Sequence, residues 1–102
     1  MIRATTPRHI FTFPTEVDPA DCEQILITYK QNGRFVLELQ KSDLEIDGQT
    51  VSCCLTQEQT RSFSPHHKAS VQVRVLTRER SALASRIEEI EIRNVLNDEV
   101  LE

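Results

Sequence analysis

The stretch Ser70–Thr77, S-V-Q-V-R-V-L-T, constrains this chain more than any other. Val71, Val73 and Val75 alternate with Gln72 and Arg74, so a β-branched residue recurs with a period of two. Successive side chains of an extended backbone point to opposite faces, and this pattern describes a strand with one face on a core and one in water. The other apolar runs make sense as strands gathered around it.

Taken in order, Met1–Pro7 is polar and reads as an extended arm leading into a first strand at His9–Phe13, with Phe11 and Phe13 on one face. Pro14 stops that strand and suits a first or edge position, because proline cannot donate to a ladder. Asp18-Pro19 marks a turn in the polar loop Thr15–Glu23. Gln24–Lys30 then places Ile25, Ile27 and Tyr29 on one face. Asn32-Gly33 supplies the two positive-φ residues of a type I′ hairpin, and the third strand is Arg34–Gln40, sending Phe35, Leu37 and Leu39 one way. A turn at Lys41–Asp43, a short strand at Leu44–Ile46, a tight turn at Asp47-Gly48 and a fifth strand at Thr50–Leu55 follow. Thr56-Gln57-Glu58-Gln59 has the spacing of a capping box and predicts one short helical turn, with Phe63 closing over the end of the core.

Two readings stay open after Thr77. Leu83, Ile87 and Ile90 fit a helix from about Glu79 to Glu91. Ile90 and Ile92, alternating against Glu91 and Arg93, fit a last strand over Arg86–Leu96 paired with Ser70–Thr77, with a β-bulge at Glu88-Glu89. The alternation favours the strand. The sum is an all-β, immunoglobulin-like antiparallel β-sandwich of about seven strands with one short helical turn. The Cys…Trp…Cys core of antibody domains is absent, since the chain has no tryptophan.

With 102 residues the chain makes a single domain over 1–102, with 1–7 as the arm and 97–102 as an acidic tail. Hydrophobic residues at 38% and charged residues at 27% suit a thin, two-layered core. A net charge of −4 with scattered Lys and Arg argues against nucleic-acid and anionic-membrane partners. No apolar run reaches the ~20 residues of a membrane span, and Met1-Ile2-Arg3 does not open a signal peptide, so synthesis and folding in cytoplasm are expected.

The inventory offers no catalytic residue, no cofactor site and no metal site. Glycine-rich phosphate loops, G-x-S-x-G and H-E-x-x-H are all missing. Cys22, Cys53 and Cys54 form no C-x-x-C; Cys53 and Cys54 are strand neighbours, one pointing in and one out. His66-His67 diverge as i and i+1, with no ligand spacing nearby. Cys54 with either histidine makes a nucleophile pair only on paper, because nothing marks that thiol as activated. Glu88, Glu89 and Glu91 read as solvation of an outward face. Of the aromatic residues, the four phenylalanines are expected in the core, which leaves Tyr29 as the one that could face a glycan.

Read whole, the chain resembles small structural proteins of tailed phages and prophages of Firmicutes, and is similar to the β-sandwich domains at the start of phage baseplate upper proteins. The residues that carry the resemblance are Thr5–Pro14 (T-T-P-R-H-I-F-T-F-P), Ile27–Gly33 (I-T-Y-K-Q-N-G), Leu55–Thr60 (L-T-Q-E-Q-T), Val71–Val75 (V-Q-V-R-V) and Asn97–Glu102 (N-D-E-V-L-E). The connection Arg78–Ser85 departs from the glycine-containing turn expected of the group. The resemblance implies a non-enzymatic virion protein of tail or baseplate, or a capsid decoration protein, made in the bacterial host cytoplasm. Its partners would be other phage structural proteins and further copies of itself, docking through edge strands, arm and tail. Ile2, Arg3, Thr5, Thr6, Tyr29, Glu99 and Leu101 are the candidate interaction residues. A free immunoglobulin-like module for a host-surface glycan or protein is the alternative.

Overall fold

The computed structural model describes Met1–Glu102. The strands are β1 (Arg8–Thr12), β2 (Gln24–Gln31), β3 (Arg34–Gln40), β4 (Glu45–Asp47), β5 (Thr50–Cys54), β6 (Ala69–Leu76), β7 (Ala82–Ala84) and β8 (Glu88–Ile90). One α-helix, α1, spans Gln57–Arg61, and single 3-10 turns occupy Pro19–Asp21 and Lys41–Asp43.

The strands form two antiparallel sheets. One has the order β1-β5-β4; the other runs β3-β2-β6 and continues into β7 and β8, which share the far edge of β6. Chain passages at residues 13–23, 41–44 and 55–68 carry the backbone from one sheet to the other. An immunoglobulin sandwich has one sheet ordered A-B-E-D and a second built on C, F and G, widened in variable-type domains by C′. Here β1, β5 and β4 stand as B, E and D, while β3, β2, β6 and β7/β8 stand as C′, C, F and G. The fold is an immunoglobulin-like all-β sandwich, 17 Å across its shortest dimension, as two packed sheets require.

Central to it is the pairing of β2 with β6. Ile25, Ile27 and Tyr29 lie opposite Val75, Val73 and Val71, and all three residues of β2 are buried. From the facing sheet Val51, Cys53 and Leu55 pack onto them, with Phe13 and Phe63 at the ends. At the first hairpin Asn32 and Gly33 have φ of 50° and 76°, the type I′ geometry their sequence predicts. In the second, positive φ falls on Gly48 alone, the first of two loop residues, as a type II′ turn requires. The capping box at α1 is formed: Thr56 Oγ1 accepts from the Gln59 N–H and Gln59 Oε1 accepts from the Thr56 N–H.

Three expectations are corrected. First, no helix forms over Glu79–Glu91; that span holds β7, an irregular Ser85–Ile87 and β8. The strand expected over Arg86–Leu96 therefore starts earlier and ends sooner, and its irregularity lies at 85–87 rather than at Glu88-Glu89. Arg74 faces Ala84 while Val71 faces Glu88, so three steps along β6 oppose four on its partner. Ser85 absorbs the slip: its N–H donates to the Val73 carbonyl, and its hydroxyl takes the Val73 N–H in return.

Second, Phe35 leaves the core. Tyr29 faces Leu37 while Lys30 faces Phe35, so Val36 is an extra residue, a β-bulge that shifts the side-chain parity beyond it. Phe35 is 62% exposed, with Lys30 Nζ 5.3 Å from its ring centroid, and Tyr29 is fully buried. Phe35 and Tyr29 thus exchange the places expected of them, while Phe13 and Phe63 are buried and Phe11 packs against the core, as expected.

Third, residues 1–5 are woven into the fold. Ile2 bridges in parallel to Arg93, and Thr5 exchanges bonds with the buried Thr60 hydroxyl. Arg3, with its side chain only 13% exposed, donates to the carbonyls of Phe63 and Arg61, to Asn94 Oδ1 and to Asp98. Loss of this side chain leaves the part-buried Phe63 carbonyl without its partner and unties the segments after α1 and β8. Arg3→Ala is expected to cost about 2–3 kcal/mol in urea unfolding; a loss within 0.5 kcal/mol, the range ordinary for a surface change, would sink the role given to Arg3. The β6–β7 turn supplies a second test. Arg80 occupies the left-handed region at φ 69°, where a glycine would sit without strain. Arg80→Gly should raise stability by about 0.5–1 kcal/mol despite losing the exposed ion pair to Glu23; an unchanged or lowered melting temperature would count against strain there.

Candidate functional site

A broad concavity lies where the sandwich fails to close. β1 has a partner on one side only, β5, and β7/β8 likewise border only β6. Between these two edges runs a groove of about 900 Å³. Phe11, Phe13 and Val17 form one wall, Val71, Val73 and Val75 the floor, and Leu83 and Ile90 the other wall. Arg8 and Arg86 stand at the rims, paired with Glu45 and Glu88.

The backbone of β1 is oriented by its register. The Phe13 N–H donates to the Gln49 carbonyl and the Leu55 N–H to the Pro7 carbonyl. Odd-numbered residues of this segment thus direct their peptide groups at β5, and alternation turns those of Arg8, Ile10 and Thr12 outward, along the open edge. Ile10 is 63% exposed on the outer face, while His9, Phe11 and Phe13 turn inward.

His9, at one end of the groove, belongs to a polar group inside the core. Its Nδ1 lies 2.6 Å from the Tyr29 hydroxyl, which lies 3.8 Å from Cys53 Sγ, and the Tyr29 ring meets Phe63 edge-on at 5.9 Å between centroids. Tyr29 occupies strand C of the sandwich, the strand that carries the buried tryptophan of antibody domains. Burial raises both the phenol and the Cys53 thiol; the thiol pushes the phenol up further, whereas the hydrogen bond from Tyr29 partly offsets the rise of the thiol. Burial also lowers the His9 imidazole, helped by the N-terminal ammonium. All three groups are therefore neutral near pH 7. A protonated thiol and a neutral phenol are poor nucleophiles, so the group is suited to tying β1, β2 and β5 together rather than to covalent chemistry.

The candidate residues read from the sequence divide by place. Arg3 and Thr5 turn inward, as described above, and Ile2 and Thr6 are exposed. Leu101 is 79% exposed, though its backbone exchanges two hydrogen bonds with the Gln57 side chain. Arm and tail thus meet around α1, joined by the Arg3–Asp98 pair; Glu99 is exposed in the same tail. Tyr29 is separate from them and offers no face to a glycan. No three His, Cys, Asp or Glu side chains converge as a metal site would require. Cys54 is exposed and shares no hydrogen bond with His66 or His67. The groove was missed. Its lining was visible as inward positions of separate strands, but alternation does not say which strand lacks a neighbour.

No protein-family model and no curated protein matches the chain. Among solved structures, the V domain of amphioxus IgVJ-C2 is similar at 7% identity and a TM-score of 0.36, over 90% of this chain and 96% of that one. The Drosophila OTK extracellular domains 3–5 give 13% identity and a TM-score of 0.38, over 95% of this chain and 33% of that one. These scores are too low to argue from, and the immunoglobulin-like arrangement is read from the strand order itself.

His9 gives this region a pH dependence. Its imidazole is held below the ordinary 6.5 in the fold, so the unfolded chain takes up the proton first as the pH falls. Stability contributed by His9 is fully present above about pH 6.5 and is lost as the pH drops towards the folded value. Thermal melts from pH 7.5 to 5.5 should fall more steeply for the native protein than for His9→Gln, whose amide can still meet the Tyr29 hydroxyl. Parallel curves would show that His9 does not titrate in this window.

Proposed function

We propose that this domain is a non-enzymatic assembly module acting through protein–protein contacts, and that it is built into the tail or baseplate of a phage particle. The observation that carries the first part is the open groove with an unpaired sheet edge on either side. Apolar floor and unsatisfied backbone edges together suit another polypeptide better than a small polar substrate. The second, finer part rests on the resemblance to virion β-sandwich proteins, with other structural proteins and further copies of this chain as neighbours. Exposed Ile2, Leu96 and Leu101 near the joined termini offer it additional apolar contacts.

Mass spectrometry of purified particles from an induced host, with heads and tails separated, tests this reading. Recovery in the tail fraction is the expected outcome. Recovery with heads would move the protein to capsid decoration. Absence from both, with abundant protein in the lysate, would end the virion reading.

A further inference from the structure

The immunoglobulin order A-B-E-D places a first strand beside B. In this chain β1 stands as B and no strand pairs with its outer edge; residues 1–5 run instead to the segment after β8, where Ile2 forms an isolated bridge to Arg93. The groove is the place of that strand. We infer that it is completed in trans, by an extended segment of a different protein that pairs with β1 and sets apolar side chains at alternate positions into the groove. This inference rests on the assembly reading above and names the partner's chemistry.

Three observations select an extended strand as the occupant. The outward peptide groups of Arg8, Ile10 and Thr12 form a row of donors and acceptors that only another extended backbone matches in spacing. The far rim is also a strand edge, so the incoming segment lies between two sheets as an internal strand would. Beneath it Val71, Val73 and Val75 recur every second residue, which fits a period of two in the occupant. A helix would leave the β1 edge unpaired. The partner is a different protein because, within residues 1–102, both end segments are engaged in the fold: Arg3 ties the first residues to Phe63, Arg61, Asn94 and Asp98, and Gln57 holds Leu101. Neither of these two segments is loose, so a second copy donates neither of them.

The probe is a synthetic peptide of about eight residues that alternates valine with threonine and ends in lysines, matched to the length of an ordinary strand. A peptide of the same composition with its valines contiguous is the control. Titration into the whole protein, followed by the β1 amide resonances, should show saturable binding of the alternating peptide and none of the control. Ile10→Pro removes an N–H from the open edge without touching the β1–β5 ladder, and proline is tolerated on such an edge. It should weaken binding at least about tenfold, since it takes away one donor and the register that depends on it. Leu83→Glu, at a position already 44% exposed, places a charge on the groove wall and should weaken binding with the fold intact by circular dichroism.

Absence of binding at millimolar peptide, equal binding of the control, or full affinity in both variants overturns the inference. So does a dimer of the protein alone that Ile10→Pro dissolves, since a second copy would then be the occupant. Particle incorporation separates this from the assembly reading. If Ile10→Pro enters tails as well as the native protein, the groove is not the docking site and the assembly reading stands. If the native protein is absent from particles while the alternating peptide binds as described, the virion reading fails and the groove inference stands.

Discussion

Everything else in this domain hangs on the pairing of β2 with β6. Eight consecutive residue pairs, Gln24 with Leu76 through Gln31 with Ala69, run without a slip. Their inward side chains, Ile25, Ile27 and Tyr29 against Val75, Val73 and Val71, form the floor on which the second sheet rests. A one-residue shift in this register would turn every one of them to solvent, so the hydrophobic cost of slippage is borne all along the pair. Irregularity is displaced to the outer strands. The bulge at Val36 and the slip at Ser85–Ile87 both lie on neighbours of this pair, where an edge can deform without disturbing the centre.

A core this thin leaves the loops weakly held by apolar contact, and polar side chains do much of that work. Gln49 Nε2 reaches the carbonyls of Phe13, Pro14 and Val17; Lys41 Nζ reaches those of Ala20 and Cys22. The buried amide of Gln31 accepts from the Ser64 N–H and donates to the Ser64 and His67 carbonyls. Arg3 does the same for the residues after α1. Each clamp satisfies carbonyls that no ladder reaches, and no buried side-chain polar atom is left without a partner. The cysteines are all free, so the constraint that disulfides bring to small secreted domains comes here from donors on long side chains.

Local patterns were legible in the sequence, and their assembly less so. The Asn32-Gly33 hairpin, the Thr56–Gln59 cap and the alternation in β1, β2, β5 and β6 each follow from chemistry within a few residues. Phe35 shows where such reading stops. Its periodicity with Leu37 and Leu39 is sound, but a single extra residue at Val36 reverses the face, and nothing in R-F-V-L-E-L-Q marks that residue as the bulge. Arg80 adopts a conformation its side chain disfavours, so the missing glycine misdirects expectation about the turn. The arm was misread for a different reason: its contacts to Thr60, Phe63 and Arg93 span more than fifty residues, and no short-range signal encodes them.

The same long-range arrangement opens the groove. Had residues 1–5 paired with β1, they would have covered its edge and shut the sandwich; by bridging to Arg93 they hold the segment after β8 and leave the space beside β1 unfilled. Protected sheet edges commonly carry an inward charge, a bulge or a proline within the strand. β1 has prolines only outside its ends, at Pro7 and Pro14, and between them the register is unbroken over five residues. An edge kept regular, bordered by prolines that fix where pairing can begin and end, and set over an apolar floor is poorly defended against another strand. Such an arrangement persists at low cost only if the strand that meets it is the right one, and the two prolines limit that strand to a short, in-register segment.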